Sequence, residues 1–241
     1  MPEQPSSQDI AHGEVAAGVH PRACRSTPAP GSELDAPDPE ALRIGLSYVL
    51  HEPSFSSTVL AHVRAVLAGY QRAWRALRAL ARLDDEELLT RIVVRDEDAI
   101  DRLQREASPS VLSLQLGASP LLARVLALVS PTGAAEPVIR WLDRPLERTP
   151  SHSIPAFRTE LRLALPPEDG SAPWLAVVVF RPGWTSLLLD VVPLGGDDVV
   201  AYLGRALERV LREYTDQWWA RERWWDRPAE EVYPELREGT R

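Results

Sequence analysis

The sequence predicts an α/β protein with a mixed, mainly parallel central sheet flanked by helices, a single domain behind a disordered leader. Three observations lead there. Short β-branched or apolar runs at 91–95, 111–114 and 137–141 alternate with segments of helical period. That β-α-β-α-β order is the signature of a parallel sheet with right-handed crossovers. Two further apolar runs, 174–181 and 185–192, flank the turn-forming Pro182-Gly183 and read as an antiparallel hairpin at the far side of that sheet. A chain of 241 residues can hold one sizeable domain and a flexible tail.

Composition narrows the classes. The formal charge of −8 argues against a nucleic-acid partner. The lone Cys24 excludes an internal disulfide framework and a multi-cysteine zinc site, and no cofactor or metal is expected. No apolar run approaches the roughly 18–20 residues that span a bilayer, and the polar N-terminus lacks the apolar core of a signal peptide. The expected location is cytoplasmic, peripheral at most at the inner face of the cell membrane. All 27 basic residues are arginine.

In chain order, residues 1–39 are rich in Pro, Ser, Gly and acids without a hydrophobic period, and read as a disordered leader. The domain is expected over 40–228. A short helix covers 40–52 and stops at Pro53. The longest helix is expected over 56–83, capped by Ser56 or Ser57. Its stripe is Val59, Leu60, Val63, Val66, Leu67, Tyr70, Trp74, Leu77 and Leu80. Arg64, Arg72, Arg75, Arg78 and Arg82 lie mostly off that stripe, and no acid falls between Glu52 and Asp84. Such a helix either docks on the core with a basic solvent face or lies on an anionic membrane surface.

Asp84 to Leu89 opens a short helix with acids in its first turn, favourable to the helix dipole. A strand follows at 91–95 and a charged helix at 96–106. At 108–130 the pattern is strand, tight turn, helix. Val111, Leu112 and Leu114 form the strand and Gly117 takes the turn. Ser119 is placed to cap the helix, with Pro120 in its first turn. Residues 142–156, with three prolines and His152, read as loop. Residues 157–165 read as helix in preference to strand, and 166–173 as a turn region. The last long helix begins at Asp197 or Asp198. It runs into 214–228, where four of the eight tryptophans (Trp218, Trp219, Trp224, Trp225) are interleaved with Arg221 and other arginines. Such a tract serves as a packed end cap or as an interfacial, partner-facing surface. Residues 229–241 read as a frayed tail.

Three stretches, in order, resemble the lipid A biosynthesis acyltransferases within the lysophospholipid acyltransferase family. They are Leu83-Asp84-Asp85-Glu86-Glu87-Leu88-Leu89 through Val111-Leu112-Ser113-Leu114-Gln115-Leu116-Gly117; Val138-Ile139-Arg140-Trp141-Leu142-Asp143-Arg144-Pro145; and Tyr214-Thr215-Asp216-Gln217-Trp218-Trp219-Ala220-Arg221-Glu222-Arg223-Trp224. The resemblance implies an acyltransferase-like fold over roughly 56–228. It also implies that the family's catalytic His and the acid five residues after it correspond here to Gln115 and Pro120. Gln cannot act as a general base near neutral pH, and Pro has no side-chain acceptor to orient one. The family's middle segment, with its acceptor-binding motif, is also shortened.

The resulting expectation is a pseudoenzyme: a non-catalytic acyl-binding or partner subunit in an acyl-transfer system. Gln115, Gly117, Ser119 and Arg140 line what remains of its site. Its partners would be an active acyltransferase homologue or an acyl-carrier protein. One alternative is an active enzyme with a non-standard site, either with His152 or His51 recruited as base or with an amine acceptor positioned by Gln115. The other is a peripheral membrane protein that uses Arg64, Arg72 and Arg75 with the Trp/Arg tract.

Overall fold

The computed structural model describes residues 36–130, 134–142, 151–164, 173–195, 198–220 and 223–238. Of the expected leader only 36–39 fall within these residues. There Asp38 accepts the Glu40 N–H at 2.8 Å and caps α1 (Pro39–Leu50), which has proline at its first position. The helix ends at His51, in the left-handed region with φ 55°. Ser56 Oγ caps α2 (Ser57–Ala81) at 3.2 Å from the Val59 N–H. Val59, Val63, Val66, Ala73, Leu77 and Leu80 turn inward, as the apolar stripe predicts.

Next come α3 (Asp85–Leu89), β1 (Ile92–Val94), α4 (Glu97–Arg105) and β2 (Ser110–Ser113), with α3 and α4 capped by Asp84 and Asp96. A 3₁₀ turn at Ser119–Leu121 leads into α5 (Leu122–Val129), followed by β3 (Val138–Trp141). Ser119 makes no capping hydrogen bond. The turn before it is pulled inward by other strands, and the helix begins as 3₁₀ instead.

The sheet is mixed and mainly parallel, in the order β1-β7-β6-β2-β3, with β6 (Trp174–Phe180) and β7 (Leu187–Pro193) completing it. β1 pairs parallel with β7, and β2 parallel with both β6 and β3; only β6 and β7 are antiparallel. The hairpin at 174–193 therefore sits at the centre, not at the far side. Its two strands divide the sheet into halves of opposite direction, so β1 and β2 run antiparallel to each other. The β2-α5-β3 unit keeps the expected parallel crossover. A central place suits β6, whose seven residues are all buried. A continuous apolar run without alternation is what a strand covered on both faces requires.

The second correction concerns 151–164. In place of loop and helix, β4 (Ser151–Ala156) and β5 (Thr159–Ala164) form a separate antiparallel hairpin. Its two-residue loop, Phe157-Arg158, has φ of 53° and 60°, the conformation that matches the twist of a hairpin. Neither residue favours it, so tertiary contacts supply the difference. The Phe157 N–H donates to Glu208, its carbonyl accepts from Tyr233 Oη at 2.8 Å, and its ring packs edge-on against Trp225. Within the strands Ile154, Ala156, Leu161 and Leu163 are buried, an alternation that fits period two better than a helix.

After α6 (Val199–Glu213) a 3₁₀ turn at Thr215–Gln217 brings the chain across the sheet, and Leu116 and Trp218 form a lone antiparallel bridge. Where a frayed tail was expected, α7 (Ala229–Val232) and α8 (Glu235–Glu238) pack back onto the body. Ala229 is fully buried with its N–H on Ser47 Oγ, and Glu230 takes the backbone N–H of Ser54 at 2.9 Å. One continuous apolar cluster joins α1, α2, the sheet, the β4–β5 hairpin and α6.

α6 packs so tightly on β4 that a Cβ added at Gly204 would overlap the Pro155 carbonyl. Gly204→Ala should destabilise the fold by about 2 kcal/mol, within the range for overpacking. A urea titration should show a lower midpoint at unchanged slope.

Candidate functional site

The turn after β2 is where the sequence resemblance places the expected site, and the fold closes it. Every residue from Leu114 to Ser119 is buried. The Leu116 N–H donates to Leu114 O at 2.9 Å, Gly117 to Gln217 O at 2.9 Å, Ala118 to Val178 O at 2.8 Å and Ser119 to Leu116 O at 3.0 Å. The carbonyl of Gln115 accepts from the Trp219 N–H at 3.2 Å, and that of Gly117 from Trp219 Nε1 at 2.8 Å. Anion or oxyanion sites at such turns depend on free N–H groups aimed outward. Here those N–H groups point at the protein's own carbonyls.

Gln217 holds the closure. Its Nε2 donates to Phe180 O at 2.9 Å and its Oε1 accepts the Phe180 N–H at 2.8 Å, so one side chain completes the backbone pairing at the end of β6. Gly117, with φ 53°, fits beneath it. A Cβ there would lie 2.7 Å from Val179 Cα and 2.9 Å from Gln217 Oε1. Glycine is required by both conformation and space.

The other sequence-predicted residues are scattered. Gln115 is 5% exposed and Ser119 3%. Arg140 lies on β3 opposite Leu112, half-buried, with a buried Nε that has no partner. His51 caps α1 and packs on Tyr233, its Nε2 3.2 Å from Arg158 Nη1 and 3.9 Å from Glu235 Oε1. None of these partners belongs to the 115–120 turn. His152 pairs in backbone register with Leu163 in the separate hairpin. Pro120 is half-buried at the start of α5.

The tryptophan tract is core, not surface. Trp218 and Trp219 are each 1% exposed and Trp225 5%, while Trp224 is half-buried; Arg221 lies outside the described residues. Trp218 meets Trp224, Trp224 meets Trp225, and Trp225 stacks on Tyr48 at 4.5 Å. The Trp218 ring occupies the space left by Gly45, where any Cβ would collide with it. Aromatic rings bury large apolar areas, and a helix surface opened by glycine accepts one directly. Arg64, Arg72 and Arg75, by contrast, are exposed.

A charged cluster that the sequence reading missed joins β1, β7 and α6. Asp190, 2% exposed, accepts from Arg95 Nη1 at 3.2 Å, Arg209 Nη2 at 3.0 Å and Tyr214 Oη at 3.3 Å. Arg95 also reaches Glu213 at 2.5 Å and Tyr214 Oη at 2.8 Å. The Glu213 hydrogen bond holds the Arg95 guanidinium more firmly protonated than usual, and burial pushes the Tyr214 phenol up. The cluster edges an open depression bounded by Asp96, Glu97 and Asp98. Its two arginines and two carboxylates cancel, leaving Asp190 multiply hydrogen-bonded. This is a clasp between elements, with no free acid or base. Its sequence sign is a single acid inside the apolar run 187–192, which a buried strand tolerates only with partners.

Among the described residues no three His, Cys, Asp or Glu come together to hold a metal, and no helix is long and apolar enough to cross a membrane. Compared with known proteins, the sequence matches no family model, and no curated protein matches it. The acyltransferase likeness rests on the three stretches quoted above.

Gln217→Ala should strip two buried backbone groups of Phe180 of their partners and lower stability by about 2–4 kcal/mol; faster hydrogen exchange at the Phe180 amide would accompany it. A second expectation concerns alkaline pH. Burial raises the phenols of Tyr48, to about 12, and of Tyr214 and Tyr233 above the usual 10.0. A raised folded-state value favours the folded form below the unfolded value, and that contribution disappears as pH climbs through the folded one. The urea midpoint should fall from about pH 10 upward, and Tyr48→Phe should make that fall shallower.

Proposed function

We propose that this protein is a non-catalytic, acyltransferase-like scaffold that acts by binding a protein partner in an acyl-transfer system. The single observation that supports the reading is the closed turn after β2. At the place where the family likeness puts a His and its acid, the chain has Gln115 and Pro120, and the surrounding backbone groups bond to 178 and 217–219. A general base must come within hydrogen-bond reach of the proton it takes. The partners of His51 lie elsewhere, on Arg158, Tyr233 and Glu235. An amine acceptor positioned by Gln115 would need that side chain exposed, and it is buried.

Insertion into a membrane is also disfavoured. The apolar stripe of α2 faces the core, and Trp218, Trp219 and Trp225 are enclosed. What α2 leaves outside is cationic, with alanines and Gln71 among its arginines and no large apolar side chain exposed. The partner classes that fit remain an active homologue or an acyl-carrier protein.

The deciding experiment is a thiol-release assay with palmitoyl-coenzyme A, with and without hydroxyl and amine acceptors. The expected rate equals that of buffer. Turnover that His51→Ala or His152→Ala then lowers by about 10²–10⁴-fold, the usual contribution of a general base, would refute the reading.

A further inference from the structure

Helices α1, α4, α5 and α6 each neutralise at least one arginine with a carboxylate, although Arg102 of α4 and Arg205 of α6 have no ion pair among the described residues. In α1 Arg43 pairs with Glu40, in α4 Arg105 with Asp101, and in α6 Arg209 with Glu213 and Arg212 with Glu208. Arg124 of α5 pairs with Asp85. α2 and its C-cap carry Arg64, Arg72, Arg75, Arg78 and Arg82, all exposed, without one carboxylate in the helix. No ion pair to any of the five occurs among the described residues. In a chain of net charge −8 this is a local excess of five positive charges.

The five fall on one stripe. At about 100° per residue, Arg64, Arg75 and Arg82 project almost in line, with Arg72 and Arg78 flanking them, opposite the buried side. From 64 to 82 the stripe is about 27 Å long at 1.5 Å per residue. On the Arg72 side of that line the exposed positions are small, Ala61, Ala65, Ala68 and Ala79, while the exposed Gln71 lies between the line and Arg78. Arg64 and Arg75 lie along the helix, their Nε atoms bonded to the carbonyls of Leu60 and Gln71, and Arg78 covers the Trp74 ring at 4.8 Å.

We infer that the outer face of α2 is a docking surface for an acidic α-helix of a partner protein. The inference rests on the partner-binding reading above and specifies where and how the partner is held. Arginines seven and eleven residues apart match carboxylates repeating at the same intervals along a second helix. Alanines beside them let its backbone come close, as small residues do at helix crossings. A lipid surface fits less well. The face offers no large apolar side chain to insert. The stripe is also followed at once in sequence by the exposed Asp84, Asp85, Glu86 and Glu87, of which Asp85 is paired with Arg124, an unfavourable neighbourhood for a broad anionic plane. A long nucleic acid meets the same acids. A partner helix of finite length does not.

The test uses the full chain at low ionic strength and four probes. They are a 20-residue Ala/Glu helix, about 30 Å long, with glutamates on one face; a proline-interrupted isomer of the same composition; phosphatidylglycerol/phosphatidylcholine vesicles; and a single-stranded oligonucleotide. The intact helix should bind, the interrupted isomer about tenfold more weakly, and the triple variant Arg64→Glu/Arg75→Glu/Arg82→Glu should lose about tenfold or more. Reversal at Arg102, Arg105 and Arg212 should leave binding unchanged. Equal affinity for the two peptides, indifference to the α2 reversals, or capture by vesicles or oligonucleotide in preference to the helix would overturn the inference. A protein that turns over thioester yet binds the helix through α2 fails only the non-catalytic reading. An inert protein that ignores the helix fails only this inference.

Discussion

The amide of Gln217 is the point on which the rest of the structure depends. It satisfies both backbone groups of Phe180 where β6 ends, while the backbone carbonyl of Gln217 accepts the Gly117 N–H. Three segments distant in sequence thus meet through one residue: the turn after β2, the end of the central hairpin, and the chain leaving α6. Buried backbone groups must find partners. In this buried position, a side chain carrying both a donor and an acceptor is needed to serve the N–H and the carbonyl of one residue. Glutamine has the right chemistry. Trp218 and Trp219 follow directly, and their burial against Gly45 and the Gly117 carbonyl fixes the same junction from the apolar side.

That junction also bears on function. In an α/β protein the carboxyl end of a parallel strand is where ligands usually gather, because loops there leave N–H groups unpaired. Here the end of β2 is filled by the protein's own C-terminal segment. The chemistry left at the surface is electrostatic. One charged group set, around Asp190, is internally balanced and joins β1, β7 and α6. The other, along α2, is unbalanced and faces outward. The molecule thus carries a neutralised clasp between its elements and an unneutralised stripe on its surface.

Much of the local structure was legible in the sequence. Ser56, Asp84 and Asp96 cap the helices they precede, Gly117 takes the turn, and the stripe of α2 predicts which side is buried. Pairing across long separations was not. Nothing in 174–192 says that the hairpin is inserted between β1 and β2, although the unbroken apolar run of β6 already favours a central strand over an edge. The β4–β5 hairpin was hidden because its loop uses Phe157-Arg158, residues that carry no turn signal and are held by Glu208 and Tyr233. The tryptophans misled for a related reason. Interleaving with arginine resembles a surface pattern, and only the glycine at 45 marks where one of them fits. Asp190 was the missed signal of the charged clasp.

The central hairpin has a consequence for how the chain acquires its shape. β1 is the first strand of the sheet in sequence, yet among the described residues its only strand neighbour is β7, and Ile92 waits for Leu187. β2 and β3 can associate as soon as α5 is made, whereas β1 and α4 have no sheet to join until residues 174–193 exist. During synthesis on the ribosome the N-terminal apolar helices must therefore persist without their final cover while most of the polypeptide is still being made. Pairings of such long sequence separation are slow to form. A hairpin made nearly a hundred residues later is what lets the first strand settle.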